Sequence, residues 1–179
     1  LGCAGAAAAI EAAEAGADVL VLERTAAGGG TSAMAGGIIY LGGGTRVQRA
    51  CGYDDTPEQM EAFLLEACGP GRDAEKIHVY AHDSVAHFEW FVAHGVPFKD
   101  EFDEQHDREP RTDAGLLYTG GEDAAPFSAI TPPVPRGHKP QFPDAAGGFL
   151  MDRMLAAVSA TATRVLTGAR TDALVVDRD

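Results

Sequence analysis

The sequence opens on a glycine turn, Leu1-Gly2-Cys3-Ala4-Gly5, that leads directly into an alanine-rich run from Ala6 to Ala15. No other feature constrains the fold as strongly. Alanine gives up no side-chain entropy in a helix, so the run predicts one. Gly16 is placed to close it in the left-handed conformation. Asp18 then leads into Val19-Leu20-Val21-Leu22, a short continuous apolar run of the kind that forms a strand buried on both faces of a parallel sheet. Glu23 stands at its end.

These pieces form the downstream part of a dinucleotide-binding unit. Such a unit needs a tight turn after a buried strand, a glycine where a diphosphate approaches the backbone, and a small residue where helix and strand pack closely. Gly2 and Gly5 fit the second and third glycines of Gly-x-Gly-x-x-Gly. The first glycine and its strand would precede Leu1, outside this sequence. Free N–H groups at the helix start, from Cys3 through Ala4 and Gly5 to Ala6, would face a phosphate with help from the helix dipole. Glu23, with Arg24 beside it, has the spacing at which an acid accepts hydrogen bonds from ribose hydroxyls. A purely structural βαβ unit is the alternative these residues leave open.

The charge balance narrows the partners. There are 27 acidic and 14 basic residues, for a net charge of −13, which repels nucleic acid and anionic membrane but not a small anion bound by backbone amides. Three cysteines, Cys3, Cys51 and Cys68, form no Cys-x-x-Cys pair. That pattern points to a reducing compartment, and a cytoplasmic location is expected. No run approaches a membrane span of about 20 apolar residues, and the start lacks the basic leader of a signal peptide.

From Ala26 to Thr45 glycine dominates, around a possible short strand Ile38-Ile39-Tyr40-Leu41. The apolar residues argue against a flexible linker and for a loop whose backbone approaches something closely. Thr56-Pro57-Glu58-Gln59 reads as a helix start, with Thr56 as N-cap and Gln59 at the capping-box position, and the helix runs to about Ala67. Asp73 opens a longer helix to about His94, ended by Gly95, with apolar positions Ile77, Tyr80, Ala81, Val85, Phe88 and Phe91 at helical spacing. Val96 to Pro143 shows little periodicity. Its aromatics, Phe98, Phe102, Tyr118, Phe127 and Phe142, argue for a functional loop over disorder. A third helix is expected over Asp144 to Ala160, followed by extended segments near Arg164–Leu166 and Ala173–Val176.

The segment Gly28-Gly29-Gly30-Thr31-Ser32-Ala33-Met34-Ala35-Gly36-Gly37 separates NAD from FAD. Hydroxyls and bare amides suit an anionic linkage, and glycines admit a flat ring against backbone. Here the chain resembles the fumarate reductase/succinate dehydrogenase flavoprotein family, and most closely its branch of 3-ketosteroid dehydrogenases and soluble fumarate reductases. The resemblance continues through Gly115-Leu116-Leu117-Tyr118-Thr119-Gly120-Gly121-Glu122, Pro135-Arg136-Gly137-His138-Lys139-Pro140, Gly147-Gly148-Phe149-Leu150 and Thr171-Asp172-Ala173-Leu174-Val175-Val176-Asp177. It implies an α/β, Rossmann-like FAD-binding domain of the glutathione-reductase type, truncated at both ends and carrying a helical insertion. By that resemblance Gly30, Thr31 and Ser32 meet phosphate or flavin, Ala35, Gly36 and Gly37 lie along the isoalloxazine, and Ala169 and Arg170 meet the adenine through backbone groups. No histidine precedes Ile77, so FAD is expected to be non-covalent. The implied division is 1–50 as FAD-binding domain, 51–143 as an insertion that partly faces substrate, and 144–179 as the return to the FAD-binding domain.

The implied activity is hydride transfer between a substrate CH–CH bond and flavin N5, on a small molecule such as a steroid or a dicarboxylate, with an unidentified electron partner. The C-terminal part of a family member, which carries most of the substrate cap, is absent from the sequence, so this chain alone is expected to be inactive. An NAD(P)-linked dehydrogenase and a non-enzymatic nucleotide-binding module are the competing readings. Tyr118 is the candidate for facing substrate, against a tyrosine merely packed by its ring, and Tyr40 could line the flavin or the core. Arg136 and His138 are a compact basic pair that could hold a substrate oxygen or stabilise reduced flavin, against a structural role in the loop. His78 and His82 are four apart, but no third ligand is evident and no metal is expected. The acidic cluster Asp100, Glu101, Asp103, Glu104 and Asp107 reads as a solvated face.

Overall fold

The computed structural model describes residues 1–105 and 111–176. In chain order the elements are α1 (Cys3–Glu14), β1 (Leu20–Leu22), β2 (Ile39–Tyr40), α2 (Arg46–Ala50), α3 (Pro57–Ala67), α4 (Ala74–His82), α5 (Ser84–Ala93), β3 (Leu116–Leu117), β4 (Gly137–His138), α6 (Gly147–Ala160) and β5 (Arg164–Leu166). They form two compact units, one of residues 1–35 with 147–179 and the other of residues 36–146.

In the first unit α1 packs against α6. Ala6, Ala9 and Ile10 of α1 and Leu150, Met151, Met154 and Val158 of α6 are buried. The predicted close of α1 is present: Gly16 has φ +87°, its N–H donates to the Ala13 carbonyl, and the Ala17 N–H donates to Ala12. These two bonds satisfy carbonyls that the helix end would otherwise strand. β1 and β5 pair in parallel, with Leu20 opposite Arg164 and Leu22 opposite Leu166.

Three expectations for this unit need correction. β1 is not buried on both faces: Leu20 and Leu22 are 51% and 47% exposed, and β5 is the one strand beside it among the described residues. The third helix begins at Gly147, not Asp144, because Asp144 takes φ +60°, outside the helical region. Ala173–Val176 forms no strand, and Leu174, Val175 and Val176 are exposed with no partner strand to supply ladder hydrogen bonds. Asp177 lies outside the described residues.

The second unit holds a three-stranded antiparallel sheet, β2-β4-β3. His138 stands opposite Ile39 on one side and Leu116 on the other. Two of these strands lie in the stretch expected to be irregular. They are two residues long, too short for alternation to register as a pattern. α3 starts and ends as predicted, with the Thr56 hydroxyl accepting from the Gln59 N–H. The reciprocal capping box sits one helix earlier, where Thr45 and Gln48 cap α2 from both sides.

The long helix predicted from Asp73 to His94 is two helices. α4 ends at Asp83, and α5 restarts at Ser84, whose buried hydroxyl accepts the Gly42 N–H at 2.8 Å. Phe63, Phe88, Leu116 and Leu117 are buried in this unit, each contributing about 1.5–3 kcal/mol by leaving water. The acidic cluster is not wholly solvated, since Asp103 is only 4% exposed and its backbone N–H bonds to Leu116 O. Asp107 lies outside the described residues. No described helix is long and apolar enough to cross a membrane.

Candidate functional site

The first unit brings the expected dinucleotide residues together. Gly2 is the N-cap of α1 and offers no side chain to cap it. The Cys3 N–H donates to Ser32 Oγ at 3.2 Å, and the Gly29 N–H donates to the Leu1 carbonyl at 2.7 Å. The glycine turn and the Gly28–Ala35 loop are thus one assembly. Ala4 and Gly5 are exposed in the first turn of α1, and their amides have no acceptor within the described residues. Thr31 and Ser32 lie in a 3-10 turn, Gly30–Met34, with Gly30 and Thr31 exposed.

The protein's own packing crowds three glycines here, Gly147 most severely because its neighbours are backbone. A Cβ on Gly2 would stand 3.0 Å from Ser32 Oγ. A Cβ on Gly147 would stand 2.7 Å from the Ser32 carbonyl oxygen and closer still to that of Ala35. A Cβ on Gly28 would meet the Leu155 side chain at 2.8 Å. The 3-10 turn therefore seats directly on the start of α6.

Glu23 is buried at 5% exposure. Its Oε1 accepts from the Thr25 N–H at 2.6 Å and the Thr25 hydroxyl at 2.7 Å, and its Oε2 contacts the Leu1 nitrogen. Its backbone completes the ladder to the far strand: the Glu23 N–H donates to Leu166, and the Ala169 N–H donates to the Glu23 carbonyl at 2.9 Å. Glu23 and Ala169, assigned separately from sequence, are direct neighbours. Arg24 is exposed, and Arg170 is paired with Asp172 at 2.9 Å on the surface. Gly36 and Gly37 belong to the second unit, where Gly37 has φ +79° and the Gly36 carbonyl accepts the Ala146 N–H.

The second unit holds a buried polar cluster that the sequence did not reveal. Arg136 donates from Nε and Nη2 to the two Asp55 oxygens at 2.9 and 2.7 Å, and both side chains are fully buried. Burial opposes the guanidinium charge, but the Asp55 hydrogen bonds and charge outweigh it and hold Arg136 protonated above its ordinary range. Asp55 also accepts from the Gly43 N–H and from Gln48 Nε2, and the guanidinium lies 5.3 Å from the Phe63 ring centre. Asp55 lies 81 positions from Arg136, and no spacing rule links residues so far apart.

His138 is fully buried. Its Nε2 lies 2.8 Å from Thr45 Oγ1 and its Nδ1 3.2 Å from the Arg136 carbonyl, with Phe88 packed on the ring. Burial pushes its pKa down to about 4, so the ring is neutral at pH 7. With both nitrogens engaged and no exposed surface, Arg136 and His138 have the surroundings of groups that hold a loop in place. Tyr118 is half-buried in an aromatic cluster with Tyr53 and Phe102, and its hydroxyl reaches the Pro133 carbonyl at 3.3 Å. Burial and the nearby Tyr53 push its pKa up to about 12, so it holds its proton at neutral pH. Tyr40 Oη, Glu122 Oε1 and Arg136 Nη1 are buried without a hydrogen-bond partner.

On α4, His78 and His82 face Glu61 of α3, a third metal-competent group that the sequence gave no reason to place there. All three cysteines are unpaired.

Comparison with known proteins finds matches over nearly the whole chain. A family model described as an FAD binding domain matches residues 2–179. The 3-oxo-5-alpha-steroid 4-dehydrogenase of Comamonas testosteroni is 32% identical over 181 residues, covering 99% of this chain and 34% of that protein. The crystal structure of 3-ketosteroid-delta4-(5alpha)-dehydrogenase from Rhodococcus jostii RHA1, in complex with 4-androstene-3,17-dione, matches with a TM-score of 0.95 at 50% identity. That match covers 98% of this chain and 38% of the other. The chain thus spans about a third of the length of the curated relative it matches.

Proposed function

The chain belongs to the FAD binding domain family, with a mixed helix-and-sheet fold matching that of a solved flavoprotein, and from that premise we propose that it forms the dinucleotide-binding part of an FAD-dependent steroid dehydrogenase. The observation that carries this reading is the convergence of Gly2, Ser32 and Glu23 around the start of α1. We read the first unit as Rossmann-like, with residues 51–143 contributing part of the substrate side.

The residues fit the group. The Ala4 and Gly5 amides and the dipole of the 12-residue α1 suit a diphosphate. Ser32 Oγ accepts from Cys3 and keeps its own proton to donate to a phosphate oxygen, and exposed Thr31 can do the same. Thr25 fills Glu23 Oε1 with two bonds, and Oε2, which contacts the Leu1 nitrogen, keeps one lone pair for a ribose hydroxyl. The backbone at Ala169 and Arg170, held beside Glu23, suits an adenine edge. Bound FAD would supply a hydride acceptor at N5 for oxidation of a substrate CH–CH bond.

Tyr118 keeps its proton, and its hydroxyl would exchange the long bond to the Pro133 carbonyl for one to a substrate carbonyl. Arg136 and His138 act as positioning residues for the β4 segment. The relatives' names point to a 3-oxo steroid as substrate.

The test uses the full-length protein purified natively. It is expected to be yellow, with absorbance near about 450 nm, and to release all its flavin on acid precipitation. It should oxidise a 3-oxo-5α-steroid in the presence of an artificial electron acceptor. A colourless protein that binds NAD in place of FAD would overturn the reading.

A further inference from the structure

We propose that Glu61, His78 and His82 bind one divalent transition-metal ion of the zinc class. The proposal concerns the second unit alone and does not rest on the flavin reading.

The donors converge from two helices. His78 and His82 are one turn apart on α4 and present both imidazoles on the same face. Glu61 comes from α3, which packs against α4. A single oxygen, Glu61 Oε2, lies 3.1 Å from His78 Nδ1 and 3.0 Å from His82 Nε2. The two rings are 4.2 Å apart at an interplanar angle of 36°. All three donor atoms lie within 4.8 Å of one another. Tetrahedral zinc with bonds of about 2.1 Å spaces its ligand atoms about 3.4 Å apart. The carboxylate–imidazole spacings are therefore close to those required, and half-exposed side chains can adjust by the remaining fraction of an ångström.

The donor chemistry selects the ion. Two imidazoles and one carboxylate favour zinc, cobalt, nickel or copper over magnesium and calcium, which prefer oxygen alone. Three protein donors leave a fourth position for water. Glu58, one turn before Glu61 on α3, adds a further negative charge. The net charge of −13 lowers the cost of bringing in a dication. Bound there, the ion would clip α3 to α4.

The tag-free full-length protein, stripped with EDTA, is titrated with ZnCl2 by calorimetry and with CoCl2 by visible absorption. One equivalent of zinc should bind in the micromolar range, with tetrahedral Co2+ bands and a rise in melting temperature. His82→Ala and Glu61→Gln should each weaken zinc binding at least about tenfold and abolish the thermal shift, while flavin content stays as in the parent. No saturable zinc binding, or binding and thermal shift unchanged in both variants, would overturn the proposal. A Co2+ spectrum of octahedral type alone overturns it without recourse to any variant.

Discussion

Asp55 grips Arg136 through two hydrogen bonds, 2.7 and 2.9 Å long, with both side chains withdrawn completely from solvent. The pair ties the start of α3 to β4. Removing one partner leaves a buried charge uncompensated, which costs far more than an exposed pair contributes. Asp55→Ala should destabilise the protein by about 3–5 kcal/mol in urea unfolding. The double variant Asp55→Leu with Arg136→Met should recover only part of this, because the Gly43 N–H and Gln48 Nε2 also lose their acceptor. Full recovery would mean that Asp55 serves Arg136 alone.

Gly147→Ala tests the seat of the 3-10 turn on α6. In an ordinary helix this change stabilises by up to about 1 kcal/mol. Here the added carbon would fall against the Ala35 and Ser32 carbonyl oxygens. The sign should reverse, with a loss of about 1–3 kcal/mol from overpacking and a lower flavin content in the purified protein. A stabilised variant with full flavin content would show that the turn can move aside.

Ser32→Ala removes the acceptor of the Cys3 N–H and a hydroxyl assigned to phosphate. Stability should fall by about 1 kcal/mol, and flavin affinity by about tenfold, equivalent to about 1.4 kcal/mol. Fluorescence titration of the deflavinated protein reads the second quantity. An unchanged affinity would confine Ser32 to holding the turn.

His138 makes stability depend on pH in a definite direction. Its pKa is pushed down to about 4 in the folded protein by burial, against an ordinary value of about 6.5. Between these values the unfolded chain binds the additional proton, so stability rises with pH. The contribution is complete above about pH 6.5 and falls on acidification by up to about 1.4 kcal/mol per pH unit, reaching its floor near pH 4. Unfolding free energies of the parent and His138→Gln, measured across this window, should differ in slope by about one proton. Parallel slopes would show that His138 is protonated in the folded state.

What the sequence determined by itself was local in character. An alanine run, a closing Gly16, an apolar strand and the Thr56 and Asp73 caps each act within a few residues, so composition and spacing were enough to read α1, β1, α3 and the start of α4. The glycine turn that opens α1 was legible for the same reason, and so was the family resemblance that the motifs carried. Tertiary structure decided whatever depends on partners distant in the chain. The predicted long helix is interrupted at Asp83, and Ser84, the first residue after the break, binds the Gly42 N–H from 42 residues away. Glu61 completed the histidine pair from another helix. Arg136 and His138 read from sequence as a basic pair for a substrate oxygen or reduced flavin or as structural groups of the loop, and it is Asp55 and Thr45 that hold them in the interior. Chain order sets backbone propensity. The desolvation of a charge, and the group that compensates it, follow from which surfaces meet on folding.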